Sequence, residues 1–342
     1  MLVEGRDIME AGWSGGVTIV SDEALIRLDP FTREDRSSLN LISHAHGDHT
    51  AGFRFKAEKC STAETKEIFT SRRGRGVEGF RSIEYGGKVS VGDIEIVAHD
   101  AGHMLGSTLF EVRCGETTLL YTGDINCVDT LTTQAAEAVP CDILVIESTY
   151  GNPSYIFPPR EETYARIVRW AIGQVRQGKT PTLHAYVAGK AQELIRLFND
   201  YTLLPVVVHP AVARVNEAYE KNGVRMAYTS SESEDGRKLL KSHRCVHIVP
   251  SYWSPDGHDG CSKAVATGWA VRFKPSGMDT AFPLSSHADF RQLVEYVRRV
   301  RPRRVCTVNG FRDALADYVS RRVGVAAHPL RPIRQKQIRE FL

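Results

Sequence analysis

Residues 43–52 read SHAHGDHTAG and place His44, His46, Asp48 and His49 within six residues. Four potential metal ligands this close together are seldom core packing. They follow the run LNLIS, residues 39–43, which reads as a strand ending at His44. Alternate residues of a strand share a face, so His44 and His46 can bind one ion. Asp48 and His49, beyond the turning Gly47, then aim at a neighbouring position. Imidazole nitrogen suits Zn²⁺, and the added carboxylate makes room for a second, harder site.

One cluster cannot fill two coordination shells, so further ligands are expected at other strand ends. DAGHMLGS, residues 100–107, offers His103 in a glycine-flanked loop after the strand IEIVAH. LLYTGDIN offers Asp124, also after a strand, where a carboxylate can bridge two ions. Asp29 closes the strand ALIRLD just before Pro30 and is suited to accept an imidazole N–H and fix a ligand's tautomer.

Around these positions the first 150 residues read as short strands. GVTIV and ALIRLD break at SDE, while VSVGDIEIVAH and TLFEVRCGETTLLYTGD read as hairpins turned at Gly-Asp and Gly-Glu. The pattern then changes. Tyr164, Ile167, Val168, Ala171 and Val175 fall at helical spacing and stop at Gly178, and a second helix, AQELIRLFND, follows the strand TLHAYV. LPVVVH, the helix ARVNEAYEKNG, and the strands RMAYT and CVHIVP continue a βα alternation that predicts a parallel-sheet unit. From Phe282 a strand-loop-helix returns, with Phe290, Leu293, Val294 and Val297 as its apolar stripe.

The order Asp29, HAHGDH, His103, Asp124 resembles the core motifs of the metallo-β-lactamase superfamily. Its His-x-His-x-Asp-His form favours zinc hydrolases over the iron-binding flavoprotein members, which carry Glu in place of the second His. ILVIESTYG, with Glu147, and PLSSHADF, with His287, resemble the motifs that bracket the β-CASP insertion in nucleases of this superfamily. YVAGKAQELI, residues 186–195, resembles the group's strand-turn-helix, where Arg is more usual than Lys190. The resemblance covers essentially the whole chain. It implies an α/β fold: a metallo-β-lactamase αββα sandwich, residues 1–151 and 281–342, split by an inserted α/β β-CASP domain, residues 152–280, with the site in the cleft between them. DNA cross-link repair nucleases with Artemis, RNase J and the mRNA 3′-end processing nucleases belong to this group.

The resemblance implies a zinc-dependent phosphodiester hydrolase with metal ligands His44, His46, Asp48, His49, His103 and Asp124 and a catalytic set of Asp48, Glu147 and His287. Hydrolysis needs a nucleophile at neutral pH, which zinc supplies by lowering the pKa of water toward ~7. The leaving oxygen needs a proton, and His287 oriented by Glu147 can give it. Ser285 and Ser286 can hold phosphate oxygens or cap the helix that follows.

One departure bears on the substrate. RNA-cleaving members carry a further His about 22 residues beyond the His287 position as a ligand of the second zinc, and DNA-acting members typically carry Val. Here the count lands on Asn309, in CTVNGF. The expectation is one tight zinc and a weaker second site able to take Mn²⁺ or Mg²⁺, with substrate bias toward DNA: an end-processing exonuclease of DNA-repair type, or alternatively an RNA-processing ribonuclease.

Composition bounds the rest. The 342 residues are 42% hydrophobic and 25% charged, ordinary for a folded globular chain. Seven cysteines without a CxxC pair indicate neither a zinc ribbon nor a disulfide framework, and read as reduced core residues. No apolar run approaches the ~20 residues of a membrane span, and MLVEGRDIME does not resemble a signal peptide. A cytoplasmic protein with nucleic acid, not membrane, as partner is expected. The net charge of +3 hides a basic C-terminal segment: thirteen Lys and Arg against four acids from Arg291 onward. It is either a solvated helix face or a phosphate-contact surface. His99, His184, His209 and His247 read as core or loop-contact residues, and His243, His258 and His328 as surface.

Overall fold

The computed structural model describes residues 9–34, 36–74, 76–253 and 260–333. His258 and the basic residues Arg334, Lys336 and Arg339 lie outside them. A first sheet runs in chain order through β1 (Glu10–Trp13), β2 (Val17–Val20), β3 (Leu25–Leu28), β4 (Leu39–Leu41), β5 (Glu58–Ser61) and β6 (Phe80–Ser82). Helix α1 (Ala63–Arg73) connects the last two. A helix here departs from the all-strand reading of the first 150 residues; AETKEIFTSRR buries only Thr65, Ile68 and Phe69, so its period is faint. Its end signals are clear, with Thr62 accepting from the Thr65 amide and Gly74 in the left-handed region.

The second sheet begins with β7 (Lys88–Val91), β8 (Ile94–Asp100), β9 (Thr108–Cys114), β10 (Thr117–Tyr121) and β11 (Ile143–Glu147). The chain then leaves it for α2 (Arg160–Arg176), β12 (Thr180–Ala185), α3 (Lys190–Tyr201), β13 (Val206–Val208), α4 (Pro210–Lys221), β14 (Thr229–Ser230), α5 (Glu234–Ser242), β15 (Val246–Pro250), β16 (Cys261–Ala266) and β17 (Thr280–Phe282). These strands form a third, parallel sheet in the order β14-β13-β15-β12-β16-β17. The chain returns through α6 (Phe290–Val300), β18 (Arg304–Val308), α7 (Arg312–Tyr318) and β19 (Ala326–Pro329), adding β18 and β19 beside β11.

Two readings change in the third sheet. RMAYT is not a strand: pairing there is confined to Thr229 and Ser230. SESEDGRKLLKS holds α5, which buries only Gly236 but whose start is marked by Ser233 accepting from the Gly236 amide. The expected boundary at 280/281 runs through β17, which pairs with β16.

The first two sheets pack face to face over a core that includes Ile19, Ile26, Leu39 and Leu41 from one and Ile96, Phe110, Val112 and Val145 from the other. Leu293, Val297 and Val300 of α6 and Leu315 of α7 cover the outside of the second sheet, and Phe69 of α1 packs on Ile42 and Phe53 at the first. The result is an αββα sandwich, with the third sheet and its helices inserted between β11 and α6. All seven cysteines are free and five are buried. No helix among the described residues is long and apolar enough to cross a membrane.

Candidate metal centre

Open sheets that contain parallel strands present ligands at the carboxyl ends of those strands, and the chemistry-bearing residues collect there. Asp29 follows β3, and its amide donates to Leu41 O at the end of β4 (2.9 Å), so the HAHGDH loop starts beside it. β10, β11 and β18 are consecutive parallel neighbours; Asp124 follows the first, Glu147 ends the second and Asn309 follows the third. The turn to Asp124 needs Gly123, at φ +52°, where a Cβ would stand 2.7 Å from Ser43.

The hydrogen bonds around the histidines fix which nitrogens carry protons. Nε2 of His46 donates to the Ala188 carbonyl (3.1 Å) and Nδ1 of His103 to the Ser286 carbonyl (2.7 Å), since a carbonyl only accepts. The Ser43 hydroxyl donates to Asp29 Oδ2 (2.5 Å), so it accepts from Nδ1 of His44 (3.0 Å). The nitrogens left over are therefore bare lone pairs. His46 Nδ1 lies 3.1 Å from both His44 Nε2 and His103 Nε2. Asp124 Oδ2 lies 3.4 Å from His44 Nε2 and 3.8 Å from His103 Nε2. Lone pairs crowded in this way repel one another unless a cation sits among them. Two nitrogens each about 2.0 Å from a tetrahedral zinc would stand about 3.3 Å apart. Donor chemistry and spacing thus fit a zinc held by His44, His46, His103 and Asp124.

A second group adjoins the first. Asp29 accepts from the Ser43 amide (2.7 Å), the Ser43 hydroxyl, the Tyr121 hydroxyl (2.9 Å) and His49 Nδ1 (2.7 Å), which fills its lone pairs. His49 Nε2 is thereby turned to Asp124 Oδ2 (3.6 Å) and Asp48 Oδ2 (3.7 Å). Asp124 Oδ2 is common to both groups, and Asp48, 81% exposed in its side chain, stands at the cleft mouth. Burial pushes the pKa of His46 down to about 3, and burial together with neighbouring imidazoles holds His44 and His103 well below the usual range. At His49 burial acts the same way, but Asp124 and Asp29 outweigh it and raise the pKa to about 10.

His287 faces the same space. Its Nδ1 lies 2.9 Å from Glu147 Oε1, its Nε2 lies 3.9 Å from Asp124 Oδ2, and its ring centroid is 4.6 Å from that of His103. Burial opposes its charge, but Glu147 and Asp124 outweigh burial and raise its pKa. Glu147 is fully buried and also accepts from the Ile125 and Thr149 amides. The loop carrying His287 is anchored by Arg160 of α2, which donates to the Ser285 carbonyl (2.9 and 2.8 Å) and pairs with Glu193 of α3 (2.9 Å).

Other sequence readings fare differently. Ser285 and Ser286 are buried; Ser285 Oγ accepts from the His287 amide (3.0 Å) and donates to the His287 carbonyl (3.2 Å), and Ser285 is not among the residues that line the cleft. Neither serine caps α6, because Asp289 does, accepting from the Gln292 amide while Gln292 reaches back. Ser286 and Asn309 line the cleft, the latter exposed at φ +60°.

Arg298 and Arg299 lie in the last turn of the eleven-residue α6, about 15 Å along its axis from His287. Arg303 and Arg304 stand at the start of β18, about 17 Å from Asn309 at its far end. None of these four arginines lines the cleft; Arg298, Arg299 and Arg303 are exposed and Arg304 is half-buried. His99 sits between Glu111 (3.0 Å) and Glu137 (3.2 Å), His184 and His247 are buried, and His243 and His328 are half-buried rather than on the surface. Sequence reasoning missed Ser43, Tyr121 and the Ala188 carbonyl, which set the histidine tautomers; a hydroxyl beside a motif carries no signal of its own.

The site opens into a cleft of about 780 Å³ lined from both sides by Trp13, Phe31, Tyr186, Tyr252 and Trp269, with Arg72 and Lys190 as the only Arg or Lys among the described residues that line it.

Residues 280–328, which include Ser285, Ser286, His287 and Asn309, match a family model described as a Zn-dependent metallo-hydrolase RNA specificity domain. Over 294 residues the chain is 29% identical to a probable DNA ligase of Opitutus terrae, covering 83% of this chain and 28% of that protein. Over 381 residues it is 25% identical to an RNase J-like protein of Methanocaldococcus jannaschii, covering 90% and 88%. It is 29% identical over 204 residues to cleavage and polyadenylation specificity factor subunit 3 of Dictyostelium discoideum, covering 50% and 26%. The chain thus spans little more than a quarter of the first and third of these relatives. A crystal structure of a protein of unknown function from Enterococcus faecalis shares the fold, with a TM-score of 0.63 at 13% identity over 88% of this chain and 94% of that one.

Proposed function

Because the chain belongs to the β-CASP nucleases of the metallo-β-lactamase superfamily, we propose that it is a zinc-dependent nuclease that hydrolyses phosphodiester bonds, acting on DNA ends. The observation that carries the hydrolase reading is the pairing of His287 with Glu147 beside the bare imidazole lone pairs of His44, His46 and His103.

His44, His46, His103 and Asp124 would hold one zinc, and Asp48, His49 and Asp124 a second ion. A bound zinc supplies Lewis acidity, which makes water a nucleophile at neutral pH and draws electron density from a phosphoryl oxygen. Asp29 keeps His49 in the tautomer that presents Nε2. Glu147 holds His287 with Nε2 directed into the cleft, where it gives a proton to the leaving oxygen. The aromatic walls exclude water from part of the cleft and present ring faces to bases.

Two observations support DNA. Asn309 stands where RNA-cleaving members have a histidine, and an amide oxygen suits a harder ion better than zinc; the Opitutus terrae relative is named as a DNA ligase. RNA is the second reading. It is favoured by the family model over residues 280–328 and by the names of the RNase J-like and polyadenylation-factor relatives. Incubating metal-loaded protein with matched end-labelled DNA and RNA oligonucleotides, each with 5′-phosphate and 5′-hydroxyl ends, separates them. Cleavage of DNA at least as fast as RNA supports the first reading, and a clear RNA preference replaces it with the second.

A further inference from the structure

Lys190 is the first residue of α3 and is 4% exposed, yet it lines the cleft. Its ammonium lies 5.0 Å from the ring centroid of Tyr186 and interacts electrostatically with Glu193, one turn along α3, and with His287 in the cleft. An ammonium on a side chain this enclosed carries a desolvation cost that an anion in the cleft would offset. Burial pulls the pKa of this lysine down to about 8. The turn before it abuts the candidate ligands: Ala188 O accepts from His46, and a Cβ on Gly189 would stand 3.9 Å from the His103 carbonyl. Arg72, the other cation of the cleft, is exposed and donates to Ala45 O (3.0 Å). Lys190 is therefore the enclosed lysine bordering the candidate metal group, and it stands at a helix N-terminus, where the backbone dipole also favours an anion.

We propose that Lys190 is a substrate-binding residue whose ammonium takes a non-bridging oxygen of the phosphate lying between His287 and the His44, His46, His103 and Asp124 group. This rests on the phosphodiesterase reading and adds a contact made by the inserted domain. It also gives that domain a part in the chemistry, because α3 then closes the phosphate site that the sandwich leaves open.

The test compares wild type, Lys190→Gln and Lys190→Arg, after thermal melting and elemental analysis have shown equal folding and metal content. In metal-loaded protein, Lys190→Gln is expected to lose about 10- to 100-fold in kcat/KM on a single-stranded oligonucleotide, with Lys190→Arg retaining most activity. In chelator-treated protein, fluorescence anisotropy against rising KCl is expected to show a salt slope shallower by about one counterion for Lys190→Gln only. Unchanged kcat/KM and slope in Lys190→Gln would overturn the proposal.

Reductive methylation of wild-type protein, mapped by mass spectrometry, needs no variant. Protection of Lys190 by the oligonucleotide or by inorganic phosphate is expected, and equal modification with and without them overturns the assignment. If phosphate protects Lys190 while wild type cuts neither DNA nor RNA, the nuclease reading fails and the anion site stands.

Discussion

The Ala188 carbonyl oxygen lies 3.1 Å from Nε2 of His46, so a turn of the inserted domain fixes the tautomer of a histidine on the sandwich. The sandwich therefore does not complete the metal group alone. Gly189, next in the chain, sits at φ +87°, a conformation that a β-branched residue resists, with only 3.3 Å between its would-be Cβ and Met104 Cβ. Gly189→Val is expected to shift Ala188 and weaken zinc binding about 10- to 100-fold, measured by competition with a chromophoric chelator. Undiminished affinity would mean that the carbonyl does not orient His46.

Asp29 gathers donors from Ser43, Tyr121 and His49 while held at φ +47°. Asn tolerates that backbone conformation, but its amide NH₂ must face one of those donors. Asp29→Asn is expected to lower stability by about 1–3 kcal/mol and to release metal from the Asp48–His49 side first. Denaturant melts paired with metal analysis check both. A variant that melts like wild type and keeps all its metal contradicts the account.

Glu147 and Asp124 raise the pKa of His287 against the effect of burial. A general acid must be protonated, so activity falls as pH rises through that pKa. Removing the charge in Glu147→Gln lowers the His287 pKa and moves the alkaline limb of the kcat/KM profile to lower pH, with a smaller loss of rate than loss of His287 itself. An alkaline limb that stays put would show that another group sets it.

Much of this was legible in sequence because metal ligands cluster by chemistry. His44, His46, His103 and Asp124 are recognisable from residue type and strand-end position, and the structure brings them together. Strongly periodic segments such as the α6 stripe were equally plain. Mostly solvated helices were not: α1 and α5 bury few residues, so their caps speak more clearly than a core-facing stripe. Charge counting left the C-terminal arginines open because it ignores direction; Arg304 and the cleft-lining Asn309 lie at opposite ends of β18. Lys190 carries no signal in composition, since only the fold shows it enclosed at the cleft.

Asn309 bears on the second ion. Purified protein is expected to carry closer to one zinc than two per chain and to be stimulated by added Mn²⁺ or Mg²⁺, because an amide oxygen is a poor zinc ligand. Asn309→His is expected to raise occupancy of the second site, measured by elemental analysis after dialysis. Two tightly held zincs in the unmodified protein would mean that another group supplies the ligand.

The central claim is that His287 is the proton donor of a metal-dependent phosphodiesterase and not one of its metal ligands. The most direct measurement is single-turnover cleavage of a labelled oligonucleotide by wild type and His287→Ala, with metal content determined on the same samples. The account predicts a fall of about 10² to 10⁴ in rate with zinc content unchanged. Loss of zinc together with activity would make His287 a ligand, and a rate equal to wild type would contradict the assignment outright.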